Sequence, residues 1–458
     1  MPEDVRALRL GAMLRGRREG GAARWLIHAV ISVSLRLFFR RIEASGASLV
    51  PERGAVLFVL NHPNGLIDPA LVFAALPRPV SFLAKSTLFR LPVLGSLLRA
   101  VGALPLYRRA DAGEDVSRNP TTFEECRRLL ARGGAVALFP EGVSHSEPKL
   151  LPLKTGAARI ALGAAAPVLK IVPVGLYYTS KTSFRSEALL RFGEPIDVPA
   201  VEPAPDGEPP PVAVRELSSR IEAGLRGVTV NAETEEQLDV ARKAERLFSS
   251  VYEGLAVRLP LAERFESLRR MTDRLAGLLP FSVSAEQLGR RILAHEGELR
   301  RAGLAPENLS LSTHSRWYVF RHFLLRAGAI ALLSPLALAG AALHYPAYLA
   351  CSVLARLFPK HGVDDIAPTV KILAALVLMP VTWLVAAALV FSRWGWRWGL
   401  ATLPLSALCG YVAMRSIEEL YDLRGWFKAI LLLARRRRLF LRLFAKSRAL
   451  RDEISRLG

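Results

Sequence analysis

A chain of 458 residues is long enough for a catalytic domain and at least one further module. Hydrophobic residues make up 51% and mean hydropathy is +0.25, so membrane segments have to be sought. Three cysteines without metal spacing exclude a disulfide framework, and two of them lie in very apolar sequence, as free buried thiols do. A net charge of +21 and a pI of about 10.6 leave two kinds of partner, nucleic acid or an anionic membrane surface, beside the bland reading of an Arg-rich proteome.

Residues 1–24 are polar and Arg-rich and are expected to be mobile. Trp25 to Phe39 is apolar apart from His28, Ser32, Ser34 and Arg36, with Arg24 before it and Arg40-Arg41 after it. It is shorter than the ~20 residues a membrane span needs. Two placements stay open: an interfacial helix lying on a membrane, or a helix packed on the domain. No cleavable signal peptide is expected, because no clear cleavage site follows that first apolar stretch.

Residues 46–198 read as an α/β domain. Apolar runs at 55–60, 80–84, 135–139 and 171–178 are the expected strands, and 69–76, 88–101, 121–132 and 155–165 the expected helices. That alternation predicts a mostly parallel sheet flanked by helices. Residues 199–212 are Pro-rich and are expected to be a linker. A helical accessory segment follows at 213–322, with Thr234 before Glu235 as a helix start.

From 323 to 415 the chain is expected to enter a membrane. Ala327–Ala355 carries no charged side chain apart from His344, and Pro335 and Pro346 could kink it or split it into a hairpin. Ile372–Phe391 has the length of a span, and Gly399–Met414 is uncharged but short. Trp394, Trp396 and Trp398, interleaved with Arg393 and Arg397, resemble an interfacial belt. The last stretch, 416–458, reads as a basic amphipathic tail carrying Arg435 to Arg438, and anionic lipid is its expected partner. None of the nucleic-acid motifs is present, so no nucleic acid is expected. With basic residues on both flanks of the apolar region, two cytoplasmic ends require an even number of spans.

The chemistry is placed at Asn61-His62-Pro63-Asn64-Gly65-Leu66-Ile67-Asp68-Pro69, which follows the uncharged run Ala55–Leu60. A neutral imidazole takes a proton from a hydroxyl that attacks an acyl carbonyl, and a carboxylate that orients it stabilises the imidazolium. His62 and Asp68 are close enough in sequence to meet in a turn. Read alone, Asp68-Pro69 is equally a helix N-cap and first-turn pair. No G-x-S-x-G elbow occurs, so direct attack by an acceptor hydroxyl fits better than a serine acyl-enzyme. Three further stretches accompany it. Gly102 to Arg109 ends an extended apolar run in arginine, a phosphate-gripping side chain. Phe139-Pro140-Glu141-Gly142-Val143-Ser144 brings a carboxylate, a glycine and a hydroxyl to another strand end. Ile171-Val172-Pro173-Val174-Gly175 reads as architectural.

Together, these four blocks in this order resemble the phospholipid/glycerol acyltransferase family, which includes the glycerol-3-phosphate and lysophosphatidate acyltransferases. The resemblance covers roughly residues 50–195. Lys85, Pro92 and Gly95, and then Lys154 and Gly156, fall where that family tends to have the same residues. It implies a membrane-bound enzyme that moves a fatty acyl group from acyl-CoA or acyl-carrier protein to a hydroxyl of a glycerol phosphate acceptor. His62 would be the general base and Asp68 its orienting partner, with no metal and no cofactor beyond the acyl co-substrate. Arg108, Glu141 and Gly142 would form the acceptor site, Arg108 on the phosphate, with Lys85, Ser144 and Lys154 completing the expected substrate-binding set. The catalytic domain is expected on the cytoplasmic face of the membrane. The rivals are acylation of another lysolipid and a non-catalytic lipid-binding protein of the same fold. Two departures stand out. Five residues rather than four separate His62 from Asp68, so a wider turn around Gly65 has to bring them together. The family's usual Thr-Arg-Ser after Glu-Gly is here Val143-Ser144-His145, leaving Lys149, Lys154 or Arg159 as substitutes for the absent arginine.

Overall fold

The uncharged run at 55–60 becomes the centre of a mixed sheet. The computed structural model describes residues 4–8, 21–76, 78–108, 111, 113–205, 207–250, 259–278, 283–313, 316–357 and 367–457. Most of the expected mobile N-terminus, at 1–3 and 9–20, lies outside them. Two compact units divide the chain: the first runs to Asn231 and the second takes up most of the chain from Ala232.

The strands of the first unit are β1 (Arg6–Ala7), β2 (Phe39–Ser45), β3 (Ala55–Leu60), β4 (Ser81–Lys85), β5 (Leu104–Leu106), β6 (Ala135–Leu138), β7 (Leu169–Tyr178), β8 (Ser186–Phe192) and β9 (Ile196–Asp197). They lie in the order β1-β2-β8-β7-β3-β6-β4-β5, with β9 beside β7. β7, β3, β6, β4 and β5 are mutually parallel, so their carboxyl ends share one edge. Ligands of open α/β sheets bind at that edge. β2 and β8 are parallel to each other, and β8 runs antiparallel to β7. Neither was foreseen as a strand. Their sequences are broken by charge, and the fold pairs those charges: Arg41 binds Glu187 and Glu43, each at 3.3 Å.

The helices of this unit are α1 (Gly21–Phe38), α2 (Ile67–Ala75), α3 (Pro92–Ala100), α4 (Asn119–Ala131), α5 (Gly156–Leu162) and α6 (Pro211–Val228). Val56 to Leu60 are fully buried, as a central parallel strand covered on both faces must be. Leu57, Val59, Val136 and Ile171 pack with Leu130 of α4, Ile160 of α5 and Leu217, Ile221 and Leu225 of α6. The unit therefore continues past the expected boundary at 198. The Pro-rich stretch is a loop leading into α6, whose apolar face is covered by the sheet and by α5. α1 buries one side against the domain and leaves an apolar side exposed. Its polar His28 and Ser32 are buried, while Trp25, Leu26, Val30, Val33 and Leu37 are exposed.

The second unit is helical: α7 (Glu235–Ser249), α8 (Leu261–Leu278), α9 (Val283–Ala302), α10 (Arg316–Leu357), α11 (Ala367–Trp394), α12 (Trp396–Arg435) and α13 (Arg437–Leu457). Thr234 does start α7, its hydroxyl accepting the Gln237 N–H at 3.2 Å. α10, α11 and α12 contain three segments long and apolar enough to cross a membrane, and only 6%, 0% and 17% of their apolar windows is buried within the protein. α10 is one continuous helix despite Pro335 and Pro346, so no hairpin forms there. The tail α13 corrects an expectation. Its apolar face is covered by protein: Phe440 and Leu443 pack with Leu299, Leu309 and Trp426, and Leu450 and Ile454 with Leu247, Leu288 and Ile292.

Candidate active site

Three strand ends build the site. β3 delivers His62, β6 delivers Glu141 and β7 delivers Tyr178. His62 Nδ1 lies 2.8 Å from Asp68 Oδ2, across the five-residue turn. Asp68 is in the first turn of α2, one residue inside it, and the cap position belongs to Leu66. The carboxylate therefore does not cap the helix. It is fully buried and accepts three hydrogen bonds: from His62, from the Asn64 N–H at 2.7 Å and from the Tyr178 hydroxyl at 2.6 Å. The Asn64 bond closes the wider turn. Burial, and then the Asp68 charge, push the Tyr178 hydroxyl well above its ordinary pKa, so it stays protonated and donates.

The His62 ring stacks on Phe139, with centroids 4.0 Å apart and planes 17° apart. With Nδ1–H directed to Asp68, the acceptor nitrogen is Nε2, which has no partner among the described residues. The His62 side chain keeps 19% of its surface exposed, whereas Asp68 keeps none. The backbone around it is tied down. Asn61 exchanges two hydrogen bonds with the Leu176 backbone, at 2.7 and 3.1 Å, extending the β3–β7 ladder through a side chain.

Glu141 was expected beside the acceptor. Its carboxylate is instead 3% exposed and occupied internally. Oε1 accepts the His62 N–H at 3.0 Å, and Oε2 accepts the Leu151 N–H at 2.9 Å and a bond from the His145 ring. His145 Nδ1 accepts the Glu147 N–H, which leaves its proton on Nε2 facing Glu141. Ser144 is also turned inward, its hydroxyl accepting the Gly65 N–H at 2.9 Å. Both side chains hold the His62 loop in place.

Gly142 connects the base to a group of cations. Its φ is +74°, the left-handed region that favours glycine, and the space a Cβ would take is filled by the movable end of the Lys154 side chain, with Nζ 2.6 Å away. Arg108 Nη1 donates to the Gly142 carbonyl at 2.8 Å, while Nε and Nη2 grip Asp111 bidentately at 3.0 Å each. Lys85, at the end of β4, reaches the same Asp111 at 2.9 Å. Lys154 has no ionic partner among the described residues. Lys85, Arg108 and Lys154 thus converge on Gly142 and Asp111, whereas Lys149 and Arg159 stay on the surface. The cation closest to the Val143–Ser146 turn was missed. Lys181, just after β7, donates to the His145 carbonyl at 3.0 Å and to Ser146 Oγ at 3.1 Å. Neither it nor Tyr178 carries a local signal, since only the β7–β3 pairing brings them here. Cys126 lies in the core, its thiol pushed up to about 12 by burial and then by Glu125, so it holds its proton. No group of metal-ligating side chains was found among the described residues.

Residues 41–177 match the acyltransferase family model. This segment is an acyltransferase domain. The chain is similar to glycerol-3-phosphate O-acyltransferase 2 of Saccharomyces cerevisiae, 32% identical over 281 residues, which are 57% of this chain and 37% of that protein. It is 25% identical to glycerol-3-phosphate O-acyltransferase 1 of the same yeast over 79% of this chain and 60% of that protein. A 1-acyl-sn-glycerol-3-phosphate acyltransferase of Brassica napus is 29% identical over 36% of this chain and 45% of that protein. The chain thus spans less than two thirds of the length of each of these relatives. The acyltransferase domain covers the strands and loops from β2 to β7, including His62, Asp68, Arg108, Glu141 and Gly142.

Proposed function

We propose that the chain is a membrane-bound enzyme that transfers a fatty acyl group from a thioester, acyl-CoA or acyl-carrier protein, to a hydroxyl of a glycerol phosphate. The observation that carries this reading is the His62–Asp68 pair, joined through Glu141-Gly142 to Arg108: His62 N–H bonds the Glu141 side chain and Arg108 bonds the Gly142 carbonyl. A base and an anion grip on adjacent residues suit an acceptor with a hydroxyl a few bonds from a phosphate. Arg108, Lys85 and Lys154 take the phosphate. His62 Nε2 receives the hydroxyl proton as the oxygen attacks the thioester carbonyl, and Asp68 stabilises the imidazolium. Collapse of the tetrahedral intermediate breaks the C–S bond, and the departing sulfur takes the proton back from His62. No acyl-enzyme forms and no cofactor beyond the acyl donor takes part.

Glycerol-3-phosphate is the acceptor favoured over lysophosphatidate, because the similarity to the two yeast glycerol-3-phosphate acyltransferases extends beyond the acyltransferase domain. The exposed apolar face of α1, flanked by Arg24 and Arg40, rests on an anionic leaflet at its cytoplasmic side. Purified full-length protein given labelled acyl-CoA, acyl-carrier protein and a panel of phosphorylated and unphosphorylated glycerol acceptors tests the reading. His62→Ala is expected to lower kcat by about 10³-fold. Equal background transfer by both proteins for every donor and acceptor sinks the enzyme reading.

A further inference from the structure

Arg108 is the side chain assigned to the acceptor phosphate, yet it already holds an anion. Its fork grips both oxygens of Asp111 at 3.0 Å, and Lys85 meets one of them at 2.9 Å. Asp111 is 9% exposed. Burial alone would raise its pKa, but the hydrogen bonds and charges of Arg108 and Lys85 outweigh it and leave the carboxyl below its ordinary range, hence ionised at neutral pH. A bidentate guanidinium–carboxylate pair uses the same donors, in the same plane, that a phosphate would use. The remaining cation at this place, Lys154, lies against Gly142 with no partner among the described residues.

We propose that Asp111 is a built-in competitor of the acceptor phosphate, holding Arg108 and Lys85 in position while the site is empty and yielding them when a phosphomonoester arrives. This deepens the acceptor reading above and rests on it. With Asp111 in place, the three cations carry one carboxylate and two positive charges remain, which matches the charge of about −1.5 to −2 on a phosphomonoester at pH 7. A neutral hydroxyl compound cannot displace the carboxylate. Asp111 does not touch the reacting atoms, so it is a positioning and selectivity residue. It belongs to the loop after β5, which a second ion pair, Arg90–Glu114 at 2.5 Å, ties down separately. The loop therefore keeps an anchor when Asp111 lets go.

The test uses full-length protein in detergent and two readouts. Calorimetric titration with inorganic phosphate reads the anion site without turnover, and initial rates against glycerol-3-phosphate read the reaction. Asp111→Asn is expected to bind phosphate about five- to tenfold more tightly and to lower KM by a similar factor, with kcat within about twofold. Asp111→Ser is expected to do the same, and it decides the matter if the amide variant misfolds. In an Arg108→Met, Lys85→Met background neither change tightens binding, because both contested donors are gone. Phosphate affinity that is unchanged or weaker in both Asp111 variants overturns the proposal, since Asp111 would then only support Arg108. Absence of turnover in the wild type with tighter phosphate binding in the variants would reject the acyl-transfer reading and leave the competitor role standing.

Discussion

Asp68 shows how much of the site one carboxylate organises. Its oxygens accept an imidazole, a backbone amide and a phenol, and it is fully buried. An amide at this position could still face His62 and Asn64 with its oxygen and offer its nitrogen to the Tyr178 oxygen. Asp68→Asn is therefore expected to keep the fold and lose the charge that stabilises imidazolium, lowering kcat by about 10²-fold. Tyr178→Phe leaves that charge but removes a hydrogen bond to it. It is expected to cost about 1.5–3 kcal/mol of stability and less than tenfold in kcat. Melting temperatures and rates measured together check the ranking. His62, Asp68 and Arg108 were legible in the sequence because each ends a recognisable local pattern. Tyr178, Lys181 and Asp111 were not, because what each does depends on partners supplied by the fold.

The elements explain the blocks that do no chemistry. Pro173 is tolerated within the interior strand β7 because it falls where the neighbour changes from β8 to β9, between the pairs Val174↔Phe192 and Ile171↔Ile196. Gly175 is required because a Cβ there would lie 1.9 Å from the Val228 carbonyl, at the end of α6. The architectural reading of that block rests on these two contacts. In the second unit, α9 and α13 are joined by His295, fully buried, with Nε2 2.6 Å from Ser447 Oγ. Burial and then the Lys446 charge lower its pKa below the ordinary 6.5, against the opposing pull of Glu298. The unfolded chain therefore takes up a proton below about pH 6.5 before the folded one does, and stability present above that pH is lost as pH falls. Amide exchange in α9 and α13, corrected for its intrinsic pH dependence, is expected to quicken between pH 7.5 and 5.5 in the wild type. In His295→Gln it should not.

At the scale of the whole molecule, the described residues hold three helices long and apolar enough to cross a membrane, whereas two cytoplasmic ends require an even number of spans. If all three cross, Arg316 and the Arg435–Arg438 cluster lie on opposite faces, and the charge bias does not set orientation by itself. The tail's apolar face is covered within its own unit, whereas the three candidate spans and one face of α1 leave apolar surface exposed. Full-length protein is expected to stay in the membrane pellet through both a high-salt and an alkaline carbonate wash. Release by salt alone would point to attachment by surface charge.

Local pattern determined the strands β3, β6 and β7, the helix after each reactive block, the three apolar segments and the identity of the His–Asp pair, because periodicity, uncharged runs and turn residues act over a few positions. The fold decided what depends on distant partners. It paired Arg41 with Glu187 so that charged β2 and β8 could join the sheet, laid α6 over β3, and turned the apolar face of α13 inward. The opening expectation of His62 beside Asp68 acquired a third member in Tyr178, and the arginine meant for phosphate acquired a resident anion in Asp111. Both came from contacts that no stretch of sequence contains, since a buried polar group has to find its partner wherever the chain brings one within reach.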